Sequence, residues 1–211
     1  MTVTSFSTLF SRALRGETCR VLGLGDPRPL PVGDWTRSAD PTDGELLAHC
    51  VGATIDVGCG PGRLTEALAA RGQLALGIDV VPEAVDQARG RGGSALHRDV
   101  FGSLPGEGRW RTALLADGNI GIGGDPVRLL TRLRELVDPR GRIVVEIAGP
   151  GVGVSSGWAT LECAGDQSRP FRWSVVGVDG IDEVSHASGL GTPAVHRLGA
   201  DRWCAVLEEI A

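Results

Sequence analysis

The sequence predicts an α/β fold with a mostly parallel sheet, and two observations support this. Strand-like and helix-like segments alternate from about residue 52 to residue 148, an order typical of parallel strands joined by crossover helices. The first of these strands, residues 53–57, leads directly into a glycine turn at 58–62 and then into a helix. A chain of 211 residues, 42% of them hydrophobic, is long enough for one domain with a sizeable core.

The next elements of the alternating region follow in order. A second strand, residues 74–79, ends in the acidic residue Asp79, and a third strand covers residues 95–100. Between them we expect a helix from Pro82 to about residue 89, because proline is favoured in the first turn of a helix.

The clearest helix of the sequence begins at Asp125 and Pro126, a capping residue followed by proline. The turn at 139–141 stops it, and a strand covers residues 142–147. The apolar residues of this helix recur at helical spacing and predict a face that packs on the sheet. They are Leu129, Leu130, Leu133, Leu136 and Val137.

Two parts of the chain lie outside the alternation. Residues 1–50 predict a helical extension, with one helix near residues 5–14 and a second that leads to Cys50. Residues 157–178 predict an inserted β-hairpin, because two strand-like runs flank a short turn. The C-terminal part, 181–211, predicts a helix near 181–188 and strands near 194–198 and 203–207.

The glycine turn predicts a ligand site. Glycine accepts positive φ angles and allows a ligand to approach closely, and the helix that follows offers unpaired amides. Its spacing is G-x-G-x-G, whereas dinucleotide-binding folds have G-x-G-x-x-G. Asp56, two residues before Gly58, repels a phosphate and suits an ammonium group. The turn therefore indicates a pocket for an amino-acid-like zwitterion.

The run Asp-Val-Gly-Cys-Gly-Pro-Gly at 56–62 resembles the first motif of the class I S-adenosylmethionine-dependent methyltransferases. The resemblance covers a cofactor-binding core, residues 51–148. It implies a Rossmann-like, seven-stranded, mostly parallel sheet with helices on both faces and an antiparallel C-terminal strand. The extension and the hairpin would then cover the cofactor and the acceptor. S-adenosylmethionine would be the cofactor and S-adenosylhomocysteine the product.

The resemblance also assigns cofactor contacts. Trp35 and Arg37 of the extension could close over the cofactor, with Arg37 meeting its carboxylate, although surface packing of the extension explains them equally well. The other contacts implied are Asp56, Gly58, Cys59, Gly60 and Gly62 for the methionine part, Asp79 and Val80 for the ribose and the adenine face, and Asp99 and Val100 for the adenine edge.

The acceptor is expected at the long glycine-rich loop after the fourth strand, within residues 113–126, which we call the acceptor loop. Ligands of open α/β sheets bind outside the carboxyl ends of the strands. There Asp117 is a candidate base, a contact to a substrate amine, or a further cofactor contact, and Asn119 is a candidate for an orienting hydrogen bond to the substrate. Both residues could instead be turn formers. The loop lacks an Asn-Pro-Pro-Tyr type tetrapeptide, which, with a net charge of -5, disfavours a nucleic-acid substrate.

We therefore expect in-line methyl transfer to a small molecule by a bacterial enzyme. Two alternatives are a nicotinamide-dependent oxidoreductase, which the glycine spacing disfavours, and a non-catalytic cofactor-binding module that regulates a partner. We expect a monomer or homodimer. We also expect a cytoplasmic protein, because the sequence contains no apolar run near the roughly 20 residues of a membrane span.

The five cysteines predict no disulfide framework and no metal site. Their number is odd and they form no C-x-x-C pair. Cys59 lies inside the glycine turn, where a small residue is needed, so we interpret it as a packing residue and not as a nucleophile.

Overall fold

A computed structural model describes residues 3–209 and contains two sheets. The strands are β1 (Val3–Thr4), β2 (Cys19–Leu22), β3 (Arg28–Pro29), β4 (Thr54–Val57), β5 (Ala75–Asp79), β6 (Ala95–His97), β7 (Trp110–Leu115), β8 (Val137–Ile147), β9 (Val154–Cys163), β10 (Asp166–Ser168), β11 (Phe171–Val176), β12 (Ala194–Leu198) and β13 (Arg202–Glu208). The helices are α1 (Phe6–Leu14), α2 (Val32–Thr36), α3 (Pro41–Ala48), α4 (Arg63–Ala70), α5 (Pro82–Gly90), α6 (Pro126–Leu136) and α7 (Ile181–Ala187).

The main sheet has seven strands in the order β12-β13-β8-β7-β4-β5-β6. The five strands from β8 to β6 pair in parallel, and β13 runs antiparallel to both of its neighbours. All four residues of β4 are buried, as expected for a central strand covered on both faces. The predicted seven-stranded, mostly parallel sheet with an antiparallel C-terminal strand is confirmed.

Helix α6 forms as its sequence predicts. The Asp125 carboxylate caps it by accepting a hydrogen bond from the Arg128 amide at 2.9 Å, and its four leucines are buried. The helix ends at Leu136, however, and Val137 is the first residue of β8. Val137 pairs with Trp110 of β7, so sheet pairing removes it from the helical stripe in which the sequence pattern places it.

The second sheet contains β1, β2, β3, β9, β10 and β11. The predicted hairpin is present as β9 and β11, but β9 also pairs with β2 of the extension, from Cys19 opposite Cys163 to Leu22 opposite Thr160. The sequence predicts a helical extension, but the extension also contains strands that pair with the hairpin. Pairing partners so far apart in sequence leave no local signal. We call this sheet, with α1 and α2, the cap.

The cap contains a disulfide between Cys19 and Cys163, which the cysteine count does not predict. The two residues face each other on β2 and β9, 144 positions apart in sequence. They are packed with Leu9, Ala13 and Leu161 in a small hydrophobic core of the cap itself.

Within residues 3–209, no helix is both long and apolar enough to cross a membrane. The same part of the chain holds no group of three or more His, Cys, Asp or Glu side chains placed to bind a metal ion.

Candidate functional site

A cavity of about 910 Å³ lies between the cap and the carboxyl ends of the parallel strands of the main sheet. The segments that follow β4, β5, β6, β7 and β8 all contribute to its floor, and α1, α2 and β11 contribute to its cover. This is the edge at which open α/β sheets bind ligands. Its volume suits a cofactor together with a small molecule.

The glycine turn forms one side of this cavity. Gly58, Gly60 and Gly62 have φ angles of +72°, +53° and +84°, which L residues with side chains rarely adopt. A Cβ added to Gly60 would meet no atom within 4 Å, so the backbone is open to the cavity there. A Cβ on Gly62 would lie 2.5 Å from the Cβ of Ala88, so this glycine lets α4 approach α5 closely. The turn is thus a backbone cradle.

Asp56 lies beneath the cradle and lines the cavity. Its side chain is buried and accepts a hydrogen bond from the Thr65 hydroxyl at 2.6 Å. Burial raises its pKa to about 6, and the Thr65 hydrogen bond opposes the shift. A positive group beside this buried carboxylate would stabilise its charged form. Asp56 therefore fits the ammonium group of S-adenosylmethionine.

Asp79 and Asp99 lie at the ends of the next two strands and also line the cavity. The Asp79 carboxylate accepts hydrogen bonds from the amides of Gly60 at 2.9 Å and Val81 at 2.8 Å, and burial raises its pKa. Asp99 accepts one from the Phe101 amide at 2.9 Å. These bonds fix both carboxylates and leave lone pairs for the hydroxyl and amino groups of a nucleoside.

The two valines that accompany these acids line the cavity as well. Val80 is 42% exposed, whereas Val100 is 4% exposed and belongs to the main core. An exposed valine at the rim and a buried one behind it form an apolar surface suited to the flat face of a purine.

Asp117 lines the cavity, and its carboxylate is paired with Arg63, the first residue of α4, at 2.7 Å. Its backbone has a φ of +51°, unusual for a residue other than glycine. Burial raises the pKa of Asp117, and the charge of Arg63 opposes that shift. The residue is therefore both a turn former and a charged group at the site.

Arg63 is a site residue that the sequence analysis does not identify. It is 3% exposed, lines the cavity and bridges Asp117 to Asp43 of α3. Its position directly after the glycine turn is a sequence signal, but its partners lie 20 residues before it and 54 residues after it. Its role depends on tertiary contacts.

The network continues to the end of β8. Asp43 also accepts hydrogen bonds from Arg37 at 2.6 Å and Arg202 at 2.8 Å. Arg202 in turn donates to Glu146 at 2.7 Å, and Glu146 accepts a hydrogen bond from the Asp117 amide at 2.9 Å. Alternating charges thus connect the extension, α4 and the acceptor loop, which holds the loop against the sheet.

Arg37 lies in this network and does not line the cavity, although sequence analysis gives it a possible contact with the cofactor carboxylate. Its guanidinium pairs with Asp43 and with Asp40, the capping residue of α3. These two local acids hold it at the start of α3. Trp35, by contrast, lines the cavity and stacks on Phe10 with ring centroids 5.3 Å apart.

Asn119 connects the acceptor loop to the glycine turn. Its amide nitrogen donates hydrogen bonds to the carbonyl oxygens of Gly58 at 2.8 Å and Val57 at 3.2 Å. A Cβ on Gly58 would lie 2.7 Å from that nitrogen, so the close contact requires glycine. The side chain therefore positions the cradle, and its oxygen is left for a ligand.

Replacing Asn119 by Asp is expected to weaken S-adenosylhomocysteine binding about tenfold, because two donated hydrogen bonds become repulsions between oxygens. Isothermal titration calorimetry measures this. Asn119→Ala, which removes the bonds without adding a charge, should lose less affinity. Equal affinity of Asn119→Asp and the wild type would show that Asn119 does not position the turn.

Cys59 packs against Gly77 of β5, where an added Cβ would lie 2.7 Å from the Cys59 sulfur. Burial raises the pKa of the Cys59 thiol well above its ordinary value, so the thiol stays protonated and is a poor nucleophile. This agrees with the packing role expected from its place in the turn.

The fold and the cradle resemble those of methyltransferase domains. Residues 54–141 match a family described as a methyltransferase domain. No curated protein matches the chain in sequence.

Solved structures share the fold. A methyltransferase from Bacteroides fragilis bound to S-adenosylhomocysteine is 19% identical, covers 97% of this chain and 94% of its own, and gives a TM-score of 0.80. The CcbJ methyltransferase from Streptomyces caelestis is 15% identical, with coverage of 84% and 92% and a TM-score of 0.63. A Burkholderia thailandensis 1,6-didemethyltoxoflavin-N1-methyltransferase is 21% identical, with coverage of 84% and 81% and a TM-score of 0.59.

At these identities the structural likeness bears on the fold, and the domain match bears on the class of protein. Together they show a methyltransferase domain at residues 54–141 within a fold that the chain shares with S-adenosylmethionine-dependent methyltransferases.

Proposed function

We propose that this enzyme transfers the methyl group of S-adenosylmethionine to a small molecule enclosed beneath the cap. The observation that carries the proposal is one continuous cavity whose floor holds the cradle and the strand-end acids and whose cover is the cap. The acidic net charge of -5 and the enclosing cover favour a small acceptor over a nucleic acid. The Burkholderia thailandensis 1,6-didemethyltoxoflavin-N1-methyltransferase was solved with the small molecule 1,6-didemethyltoxoflavin bound, and that supports the same class here.

We assign the cofactor contacts by chemistry. The cradle amides and Asp56 hold the amino-acid part, Asp79 accepts from the ribose hydroxyls, and Asp99 with Val100 recognises the adenine edge. Val80 packs on the adenine face. We assign Trp35 to the acceptor side of the cavity and not to the cofactor, because it stacks on Phe10 of the cap. When bound, the cofactor supplies an electrophilic methyl group on a sulfonium.

The protein's part in catalysis is orientation. Holding two reactants in line contributes on the order of 7–11 kcal/mol to a displacement of this kind. Asn119 fixes the cradle relative to the acceptor loop, and the cap excludes water. We propose Asp117 as the base for an acceptor that arrives protonated, with Arg63 holding its carboxylate in place.

Removing the Asp79 carboxylate tests the cofactor assignment. Asp79→Ala is expected to weaken S-adenosylhomocysteine binding by about 1–3 kcal/mol, because hydrogen bonds to a charged group are lost. Calorimetry measures the change, and thermal melting shows whether the variant is folded. Asp86→Ala, on the exposed side of α5, is the matched control and should bind like the wild type. Unchanged affinity of Asp79→Ala would refute the ribose contact.

The acceptor class is tested by following the methyl group. Purified enzyme is incubated with methyl-labelled cofactor and separated cell fractions of protein, nucleic acid and low-mass compounds. Label in the low-mass fraction supports the proposal. Label that accumulates in protein or nucleic acid contradicts it.

A further inference from the structure

One wall of the cavity is aromatic. Of the nine aromatic residues in the chain, five Trp and four Phe, five line this cavity. They touch in series, and the centroid distances are 5.3 Å for Trp35–Phe10, 5.2 Å for Phe10–Phe6, 4.8 Å for Phe6–Phe171 and 6.3 Å for Phe171–Trp173. We call these five residues the aromatic wall.

The aromatic wall is assembled from three separate segments of the cap. Phe6 and Phe10 lie on α1, Trp35 lies on α2, and Phe171 and Trp173 lie on β11. Core packing explains part of this arrangement, since α1 and β9 share the small core of the cap. It does not explain why all five side chains also line the same cavity. A surface that binds a ligand would explain why they line one cavity.

The charged side chains that line the cavity differ between its two sides, with the carboxylates on the floor and only arginines on the cap side of the described cavity. The carboxylates that line it all belong to the floor, where Asp117 is paired with Arg63 and Glu146 with Arg202. On the cap side, the charged residues that line the described cavity are Arg28 and Arg172.

A positively charged acceptor lying against the aromatic wall would meet Arg28 and, among the residues that line the described cavity, no carboxylate on the cap side. Arg172 lies over Trp158, with 5.5 Å between the guanidinium carbon and the ring centroid, and because Trp158 is 60% exposed and does not line the cavity, this charge is held on the outer face of the cap. Aromatic rings can also hold cations through their faces. The charge of Arg28 and the lack of a carboxylate on the cap side of the described cavity disfavour a cation at this wall.

From this division we infer that the acceptor is a planar aromatic or heteroaromatic molecule of neutral or negative charge, which lies flat against the aromatic wall. Offset and edge-to-face contacts between rings favour such a molecule over a saturated one of the same size. Trp35, at one end of the wall, is the residue that selects for planarity. This inference rests on the proposed function and names its substrate class.

Three probes of one size test the inference on the enzyme saturated with S-adenosylhomocysteine. They are naphthoate, which is planar and negative, its saturated decalin carboxylate counterpart, and naphthylmethylammonium, which is planar and positive. Naphthoate is expected to bind roughly tenfold more tightly than either of the others by calorimetry. Trp35→Leu should reduce naphthoate affinity by a similar factor and leave decalin carboxylate affinity unchanged.

Trp158→Leu is the matched control, because Trp158 is 60% exposed on β9 and does not line the cavity. It should bind naphthoate like the wild type. The inference is overturned if the three probes bind equally or not at all, if the ammonium probe binds best, or if Trp35→Leu and Trp158→Leu behave alike. Loss of S-adenosylhomocysteine binding by the wild type would instead refute the proposed function, so the two failures are distinguishable.

Discussion

Asp43→Asn is expected to lower the free energy of unfolding by about 3–5 kcal/mol, the cost of leaving buried charges without their partner. The Asp43 side chain is 0% exposed and pairs with Arg37, Arg63 and Arg202. Asparagine has nearly the same volume, so the loss reports charge and hydrogen bonding and not a cavity. Chemical denaturation followed by circular dichroism measures it.

Asp43 also completes a capping box at the start of α3, where it accepts a hydrogen bond from the Asp40 amide at 3.0 Å. The variant therefore weakens the helix start as well as the network. Arg63 is 3% exposed and its Asp43 partner is lost, so the acceptor loop that it holds through Asp117 should loosen too.

Asp138→Asn provides the control. Asp138 pairs with Arg111 at 3.1 Å, and both side chains are well exposed, at 39% and 42%. Exposed pairs of this kind contribute about 0–1 kcal/mol. Equal losses in the two variants would contradict the central position of Asp43.

The pH dependence gives a second measurement of the Asp43 prediction. Burial raises the pKa of Asp43, but hydrogen bonds from Arg63 and Arg37 outweigh it and hold the pKa well below its ordinary value. A carboxyl whose pKa is lower in the folded state stabilises the fold above its unfolded pKa of about 4. The stability difference between wild type and Asp43→Asn should therefore be constant above about pH 5 and shrink as the pH falls below 4.

Gly62→Ala is expected to destabilise the enzyme by about 2–4 kcal/mol and to weaken cofactor binding, because α4 must move away from α5. The added Cβ would lie 2.5 Å from the Cβ and 2.7 Å from the Cα of Ala88. The φ of +84° adds the strain of a left-handed backbone. Thermal and chemical unfolding, together with calorimetry of S-adenosylhomocysteine binding, measure both effects.

Gly72→Ala separates the two causes. Gly72 has a similar φ of +76°, but an added Cβ there would meet no atom within 4 Å. It should cost about 1 kcal/mol from backbone strain alone and leave cofactor binding unchanged. A Gly62→Ala variant no less stable than Gly72→Ala would show that α5 gives way to the added methyl group.

The elements that the sequence predicts well are those with local signals. Strand β4, the glycine turn and helix α4 follow one another within 17 residues, and each has its own signature of apolar run, glycine spacing or helical pattern. Asp79 is predictable for the same reason, since it ends the next buried strand. The capping residue Asp125 predicts the start of α6 within one residue.

The elements that the sequence does not predict depend on partners far away along the chain. The β2–β9 pairing joins positions 138 to 144 residues apart, and the Cys19–Cys163 disulfide joins positions 144 residues apart. In sequence, Arg37 is the candidate for the cofactor carboxylate, and Arg63 has no assigned role. The structure distinguishes them, because Asp40 lies three residues from Arg37 and holds it outside the cavity.

By itself, then, the sequence determined the parallel sheet, the backbone cradle and the expected methyl donor, because each follows from residue types within a short stretch of chain. Tertiary structure alone decided the cover of the site: the six-stranded cap sheet, the network centred on Asp43 and the aromatic wall. The physical reason is that strand pairing, buried ion pairs and ring contacts are satisfied by partners that sequence spacing does not reveal.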